Sequence, residues 1–237
     1  MNILIVNDDS IHDPGIELLA KAAAALGEVT VVAPAYQCSA IAQQITIRGK
    51  LNVRRVENFP VPVKAAWQVE GTPADCVRVA VHILEEMPDF VFSGINAGWN
   101  AGFDIVHSGT LGAAFEAAMY GIPAIAFSNA HGASLDTVEP HLVPILGELT
   151  AQEPLRDGVW NVNFPGCAPK GILRDRRVAP APLFSERYVP TKLPDGSADY
   201  TLEGTPLAPG DPVPAGSDLE AVLEGYISIG PAKCCVL

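Results

Sequence analysis

The stretch Asn2-Ile3-Leu4-Ile5-Val6-Asn7-Asp8-Asp9-Ser10 decides the fold of this chain. Its continuous apolar run predicts a strand over residues 2–7 that is buried on both faces, because a half-exposed strand would alternate apolar and polar residues. Two adjacent acids follow the strand at once, and like charges this close repel each other unless positive charge lies between them. The stretch therefore predicts a central strand and raises the question of what neutralises Asp8 and Asp9.

Apolar strand patterns alternate with helix patterns through the first two thirds of the chain. Further strands are predicted at 29–33, 44–56, 67–69, 90–92 and 124–127, helices at 14–26, 72–86, 111–120 and 138–150, and a long Gly/Asn loop at 94–108. Buried strands that alternate with helices indicate a parallel sheet covered on both faces. We therefore predict an α/β fold with helices on both sides of a mostly parallel sheet.

The last third of the chain is rich in proline. Residues 180–214 contain eight of the 21 prolines, and proline cannot donate a hydrogen bond to a neighbouring strand. We predict a protruding β-hairpin arm here, with a disordered linker as the alternative, and a strand at 226–229 that returns to the body. Residues 1–237 are expected to form one domain that carries this arm.

Composition and charge exclude several classes of protein. The 237 residues are 49% hydrophobic, which indicates a globular chain, and no apolar run is long enough to span a membrane. A net charge of -12 argues against a nucleic-acid duplex or an anionic membrane as the main partner. The N-terminal apolar run is too short for a signal peptide, so we expect a cytoplasmic protein. The ending Cys234-Cys235-Val236-Leu237 matches a prenylation pattern, although we favour a short unmodified tail.

Oxygen-bearing side chains follow three of the predicted strands. Asp8 and Asp9 follow the first strand, Ser39 lies after the second, and Asn96 lies after the strand at 90–92. The carboxyl ends of parallel strands meet at one edge of the sheet, so these groups are expected to converge. Hard oxygen ligands without Cys or His favour Mg²⁺, Mn²⁺ or Ca²⁺. A divalent cation between Asp8 and Asp9 is therefore the first hypothesis, and the alternative is that Asp9 merely caps the following helix.

Two further motifs indicate a phosphate site. The glycine-rich run Ser93 to Gly102 lets backbone N–H groups approach a ligand closely. The turn His107-Ser108-Gly109-Thr110 leads into a helix, and a helix N-terminus favours an anion. The alternatives are an ordinary surface loop and a simple N-cap at Ser108 or Thr110. Together, a hard cation and an anion cradle at one sheet edge describe a site for a phosphate ester.

Several of these motifs resemble the SurE family of survival-protein nucleotidases. The likeness rests on Asn7-Asp8-Asp9 with Pro14-Gly15-Ile16, Gly71 to Val77, Ser93 to Gly98 with Asn100 and Gly102, His107 to Thr110, Gly216-Ser217-Asp218, and Glu224 to Ser228. The resemblance implies a Rossmann-like three-layer αβα core and a homodimer or homotetramer built through the C-terminal arm. It also implies a metal-dependent phosphatase acting on nucleoside monophosphates.

The resemblance carries functional roles to particular positions. Asp8, Asp9, Ser39 and Asn96 would bind the divalent metal, Mg²⁺ or Mn²⁺, with Asp8 and Asp9 also catalytic. Asn100, Ser108, Gly109 and Thr110 would bind the phosphate. We favour attack on phosphorus by water, with an aspartyl-phosphate as the alternative.

The chain departs from the family pattern at three positions next to these residues. Ser10 stands where the family usually has glycine, and Cys38-Ser39-Ala40 replaces Arg-Ser-Gly. These differences leave open a second function, a catalytically weakened nucleotide-binding or regulatory protein on the same fold.

Overall fold

The computed structural model describes residues 1–85 and 87–233, so the Cys234–Leu237 motif lies outside the described part of the chain. The strands are β1 (Asn2–Val6), β2 (Glu28–Pro34), β3 (Val53–Arg55), β4 (Ala65–Val69), β5 (Phe90–Ala97), β6 (Ala124–Asn129), β7 (Gly158–Phe164), β8 (Ile172–Leu173), β9 (Phe184–Lys192), β10 (Ala198–Pro206) and β11 (Ile227–Lys233). The α-helices are α1 (Pro14–Ala23), α2 (Pro73–His82), α3 (Gly109–Met119), α4 (Glu139–Thr150) and α5 (Asp218–Leu223). Short 3₁₀ helices cover Gly102–His107 and Leu135–Thr137.

One nine-stranded sheet forms the centre of the molecule, in the order β3-β4-β2-β1-β5-β6-β7-β11-β8. The pairs from β4 through β2, β1, β5 and β6 to β7 are parallel, whereas β3 and β11 run antiparallel to β4 and β7. The predicted mostly parallel sheet is confirmed. Since β1 lies between β2 and β5, the chain winds outward in both directions from β1, and ligands bind at such a switch point.

Helices cover both faces of the sheet, which confirms the predicted α/β layering. Alternate residues of β1 point to opposite faces, so Ile3 and Ile5 belong to one buried cluster and Leu4 and Val6 to the other. Helices α1 and α4 pack into the first cluster, and α2 and α3 pack into the second. Within the described residues, no helix is long and apolar enough to cross a membrane.

The predicted strand at 44–56 is wrong for most of its length, because only Val53–Arg55 is a strand. The start of α2 explains the difference. Thr72 and Asp75 form a capping box there, and the Asp75 carboxylate also accepts hydrogen bonds from the backbone N–H and the hydroxyl of Thr46, at 2.9 and 2.7 Å. The Thr72 hydroxyl donates to the carbonyl of Gln44. The backbone at Gln44 and Thr46 therefore bonds to a helix N-terminus and not to a neighbouring strand.

The predicted loop at 94–108 is also partly wrong. Strand β5 continues into the glycine-rich motif as far as Ala97, with an irregular register against β6 between Ser93 and Asn96. A 3₁₀ helix occupies Gly102–His107. The motif's backbone groups are thus partly held by the sheet, which fixes the position of Asn96.

The proline-rich segment forms the predicted hairpin, and the linker alternative is wrong. Strands β9 and β10 pair antiparallel over nine residues each, apart from the main sheet. Prolines are tolerated in this hairpin because its two strands have no further neighbours to accept N–H donation.

Candidate active site

A cleft of about 300 Å³ lies at the carboxyl edge of the sheet, beyond the ends of β1 and β5. Six of the predicted site residues line it: Asp8, Asp9, Ser39, Asn96, Asn100 and Ser108. Seven residues without a predicted metal or phosphate role complete the lining: Gln37, Ala40, Ala97, Asp104, His107, Phe184 and Glu186. The structure thus brings together residues from four separate sequence motifs and from the arm.

Asp8 is the most buried acid of the cleft, at 5% exposed. Burial raises the pKa of its carboxyl to about 6, with a further upward contribution from Asp9 and an opposing one from the hydroxyl of Thr110. That hydroxyl donates to Asp8 Oδ1 at 2.6 Å. Helix α3 begins against the same carboxylate, since a Cβ added to Gly109 would lie 2.9 Å from the Cβ of Asp8. The first turn of α3 therefore needs a glycine beside Asp8.

Asp9 is more exposed and connects the loop after β2 to the end of β5. Its Oδ1 accepts a hydrogen bond from Gln37 Nε2 at 3.1 Å, and its Oδ2 accepts from the backbone N–H of Ala97 at 3.0 Å. Helix α1 is capped by Asp13, whose side chain accepts from the N–H of Gly15. The alternative that Asp9 caps this helix is therefore wrong.

The chemistry of the lining residues fits a hard divalent cation. Asn96 donates its side-chain N–H to the carbonyl of Gly98 at 2.7 Å, which leaves its Oδ1 to accept from another group. The ligand atoms available from Asp8, Asp9, Ser39 and Asn96 are therefore all oxygens. Among residues 1–85 and 87–233, no three His, Cys, Asp or Glu side chains are arranged so that they could hold a metal ion by themselves, so Ser39 and Asn96 would have to complete a site at Asp8 and Asp9.

Asn100 is held by a buried polar network. Its backbone N–H donates to Asn163 Oδ1 at 2.9 Å, and its carbonyl accepts from the side-chain amides of Asn161 and Asn163 at 2.8 and 3.0 Å. Its own Nδ2 donates to the hydroxyl of Ser128. Buried polar groups are costly unless paired, so this network fixes Asn100 at the cleft wall.

Sequence reasoning missed Asn161 and Asn163 because it predicted no strand over residues 158–164. The alternation of apolar and polar residues in Trp160-Asn161-Val162-Asn163-Phe164 is a signal that would have indicated β7.

The predicted phosphate turn has a structural role as well. Ser108 caps α3, since its Oγ accepts from the N–H of Leu111 at 3.1 Å. The N-cap alternative is thus correct for Ser108 and wrong for Thr110, whose hydroxyl is bound to Asp8. Ser108 lines the cleft, whereas Gly109 and Thr110 contact Asp8.

Two of the departures from the family pattern adopt left-handed backbone angles. Ser10 has φ of 105° and Ala40 has φ of 56°, a region that favours glycine. Both loops must turn sharply to reach the carboxylates: Asn7 donates to the carbonyl of Ser10, and the N–H of Cys38 donates to the carbonyl of Asp8. The glycines that the family usually has would fit this backbone without strain.

The fold and the site define a class, that of doubly wound α/β proteins with an acidic, oxygen-lined cleft at the switch point of the sheet. Comparison with known proteins identifies the family within this class. The family model described as "Survival protein SurE" matches residues 3–181, so the chain belongs to the SurE family.

Curated relatives and a solved structure agree with this assignment. The chain is 42% identical to "5'-nucleotidase SurE 1" of Thermus thermophilus, over 98% of this chain and 92% of that protein. It is 38% identical to "5'/3'-nucleotidase SurE" of Shigella dysenteriae, over 98% and 90%. The crystal structure of SurE from Aquifex aeolicus superposes with a TM-score of 0.84 at 34% identity, over 98% of this chain and 93% of that one.

Replacing Ser10 by glycine is expected to stabilise the protein. The substitution removes the strain of a side chain at φ of 105° and loses only one long hydrogen bond, from the N–H of His12 to the serine hydroxyl at 3.4 Å. We expect Ser10→Gly to raise the free energy of unfolding by about 1 kcal/mol, measured by urea denaturation. Ser185→Gly in the regular strand β9 is the control and should not stabilise; a loss of stability in Ser10→Gly would contradict the strain.

Proposed function

We propose that this chain is a metal-dependent phosphatase that hydrolyses nucleoside monophosphates, at the 5' or the 3' position, to nucleoside and phosphate. Its relatives are named as nucleotidases, and their sequence similarity to this chain extends over 98% of its length. The observation that carries the proposal is the composition of the cleft. Acids and neutral oxygen donors line it, and no Lys or Arg is among the described lining residues. Since Asp8, Asp9, Asp104 and Glu186 all line the cleft, a bound cation would supply the positive charge that favours a phosphate anion there.

The proposed cation ligands are Asp8, Asp9, Ser39 and Asn96, and Mg²⁺ or Mn²⁺ suits their chemistry. When bound, such a cation would offset the repulsion between the carboxylates, neutralise charge on phosphoryl oxygens and acidify water. The hydrogen bonds of Thr110, Gln37 and Ala97 hold the two carboxylates in fixed orientations before any ligand arrives. The site is therefore preorganised for a cation, which reduces the cost of binding.

The phosphate would be held on the opposite side by Asn100 and the start of α3. The amide of Asn100 retains one N–H beside its bond to Ser128, and the backbone N–H groups of Gly109 and Thr110 lie in the first turn, where the helix dipole favours an anion. Phosphoryl transfer mostly needs positioning and charge stabilisation, which this arrangement supplies.

In the proposed reaction, a water oxygen forms a bond to phosphorus in line with the ester oxygen, whose bond to phosphorus breaks. Asp8 or Asp9 accepts the proton from the water, and the nucleoside leaves with a proton from solvent. Attack by either carboxylate, giving an aspartyl-phosphate, is the competing route.

We also propose that the chain assembles into a homodimer or homotetramer through its arm. The hairpin exposes large apolar side chains in the isolated chain, with Tyr188 at 65%, Tyr200 at 64% and Leu202 at 50%. Exposed apolar groups clustered on a two-stranded hairpin mark an interaction surface. A cytoplasmic location stays a prediction.

The metal assignment predicts a cation-dependent rise in melting temperature. Mn²⁺ or Mg²⁺ should raise the Tm of the native chain, because a ligand that binds only the folded state stabilises it. Asp9→Ala should abolish this rise, whereas Asp199→Ala on the exposed arm should keep it; scanning calorimetry with and without chelator measures both. An unchanged rise in Asp9→Ala would remove Asp9 from the ligand set.

The function predicts phosphate release from a panel of 5'- and 3'-nucleoside monophosphates in Mn²⁺, and none with excess chelator. Binding without release would instead support the rival function, a nucleotide-binding protein without turnover. Rapid quenching with a phosphate-labelled substrate checks the attacking atom within the same assay. Label trapped on Asp8 or Asp9 would overturn direct attack by water and leave the metal site intact.

The assembly proposal predicts a mass of at least two chains in solution. Light scattering after gel filtration should give a dimer or tetramer for the native chain. The double substitution Tyr188→Ser with Leu202→Ser should lower the assembly state, because it removes apolar area from one face of the hairpin. A monomeric native chain would refute the proposal.

A further inference from the structure

We propose that the root of the arm forms a nucleobase subsite, in which Phe184 stacks on the base and Glu186 accepts hydrogen bonds from N–H groups at its edge. Both residues line the cleft that contains Asp8 and Asp9. This inference rests on the proposed function, because it identifies the part of the substrate that lies beyond the phosphate. The chemistry of Glu186 favours a base with two adjacent N–H donors, which is guanine.

The start of β9 is fixed at the rim of the cleft. The backbone N–H of Leu183 donates to Asp104 Oδ2 at 2.7 Å, and Asp104 itself lines the cleft. The Leu183 side chain is 4% exposed and packs in a small cluster with Ala101 and Leu219. Although the rest of the hairpin projects from the body, its first residues are anchored next to the site.

The strand period places Phe184 and Glu186 on the same face of the hairpin. Successive side chains of a strand point to opposite faces, so Ser185 and Arg187 lie on the other one. There, Arg187 pairs with Glu203 of β10 at 2.6 Å. Arg187 and Glu203 thus pair with each other on the other face, whereas Phe184 and Glu186 line the cleft.

Phe184 presents a supported aromatic ring to the cleft. A Cβ added to Gly204 of the facing strand would lie 3.6 Å from Cδ1 of this ring, so the ring rests against a residue without a side chain. The residue remains 39% exposed. A ring that is held on one side and open on the other suits base stacking, which every base can accept through its π face.

Glu186 carries an unpaired charge into an acidic cleft. Its carboxylate has no hydrogen-bond or ion-pair partner among the described residues, and the lining already contains Asp8, Asp9 and Asp104. A carboxylate here would repel the phosphate of a substrate. It would attract instead the nucleobase, which is neutral and carries N–H donors. Its two oxygens match the ring N–H and amino group of guanine, whereas uracil offers one donor and adenine and cytosine each offer only an amino group.

Steady-state kinetics of the Mn²⁺-loaded chain would test the subsite. The substrates are GMP, AMP, CMP, UMP and ribose 5-phosphate, which carries the phosphate without a base. Phe184→Leu should lower kcat/KM for all four nucleotides roughly tenfold, mainly through KM, and leave ribose 5-phosphate unchanged. Glu186→Gln should lower kcat/KM roughly tenfold for GMP and leave UMP nearly unchanged. The matched controls are Tyr188→Leu, on the same face but outside the cleft lining, and Glu203→Gln on the other face.

Calorimetric binding of guanosine measures the subsite without phosphate or turnover. We expect Phe184→Leu and Glu186→Gln each to weaken guanosine binding roughly tenfold, and the two controls to bind as the native chain does. Equal losses for nucleotides and ribose 5-phosphate, or equal guanosine affinity in all variants, would overturn the subsite. A native chain that releases no phosphate from any substrate would refute the proposed function instead, and guanosine binding would still decide the subsite.

Discussion

The repulsion between the carboxylates of Asp8 and Asp9 is the constraint on which this structure depends. Both acids follow the central strand β1, and Asp8 is buried. The described lining of their cleft contains no lysine or arginine. Neutral hydrogen-bond donors from three different parts of the fold bind the two carboxylates. Thr110 comes from α3, Gln37 from the loop after β2, and Ala97 from β5. The packing of these elements around β1 therefore also positions the residues of the site, and a bound cation would complete the site.

The same constraint explains where the backbone is strained. The chain must turn back at Ser10 and at Ala40 to surround the two carboxylates, and both residues adopt positive φ without the freedom of glycine. Strain of this kind persists where surrounding contacts hold it, as the hydrogen bonds between the loops do here.

The arm contributes to the cleft as well as projecting from the body. Its anchor at Leu183 and Asp104 joins the last third of the chain to the 3₁₀ helix that follows the glycine-rich motif. Asp218 strengthens the connection, because its carboxylate accepts from the N–H groups of both Gly102 and Ala179. Burial raises the pKa of Asp218, and its backbone donors oppose this rise. A few hydrogen bonds therefore connect the root of the arm to the wall of the cleft.

The sequence by itself determined the buried parallel strands, the starts of α1 and α2, and the meeting of Asp8, Asp9, Ser39 and Asn96. These features follow from local apolar patterns and from the rule that parallel strands share a carboxyl edge. Only the tertiary structure decided that Thr46 bonds to Asp75, that Asn161 and Asn163 hold Asn100, and that Phe184 and Glu186 reach the cleft. Such contacts join residues far apart in the chain, as Asp104 and Leu183 illustrate, whose positions differ by 79. A local pattern records the period of a strand or helix, but it does not record which distant group will satisfy a buried N–H or carbonyl, because that choice depends on the packing of the whole fold.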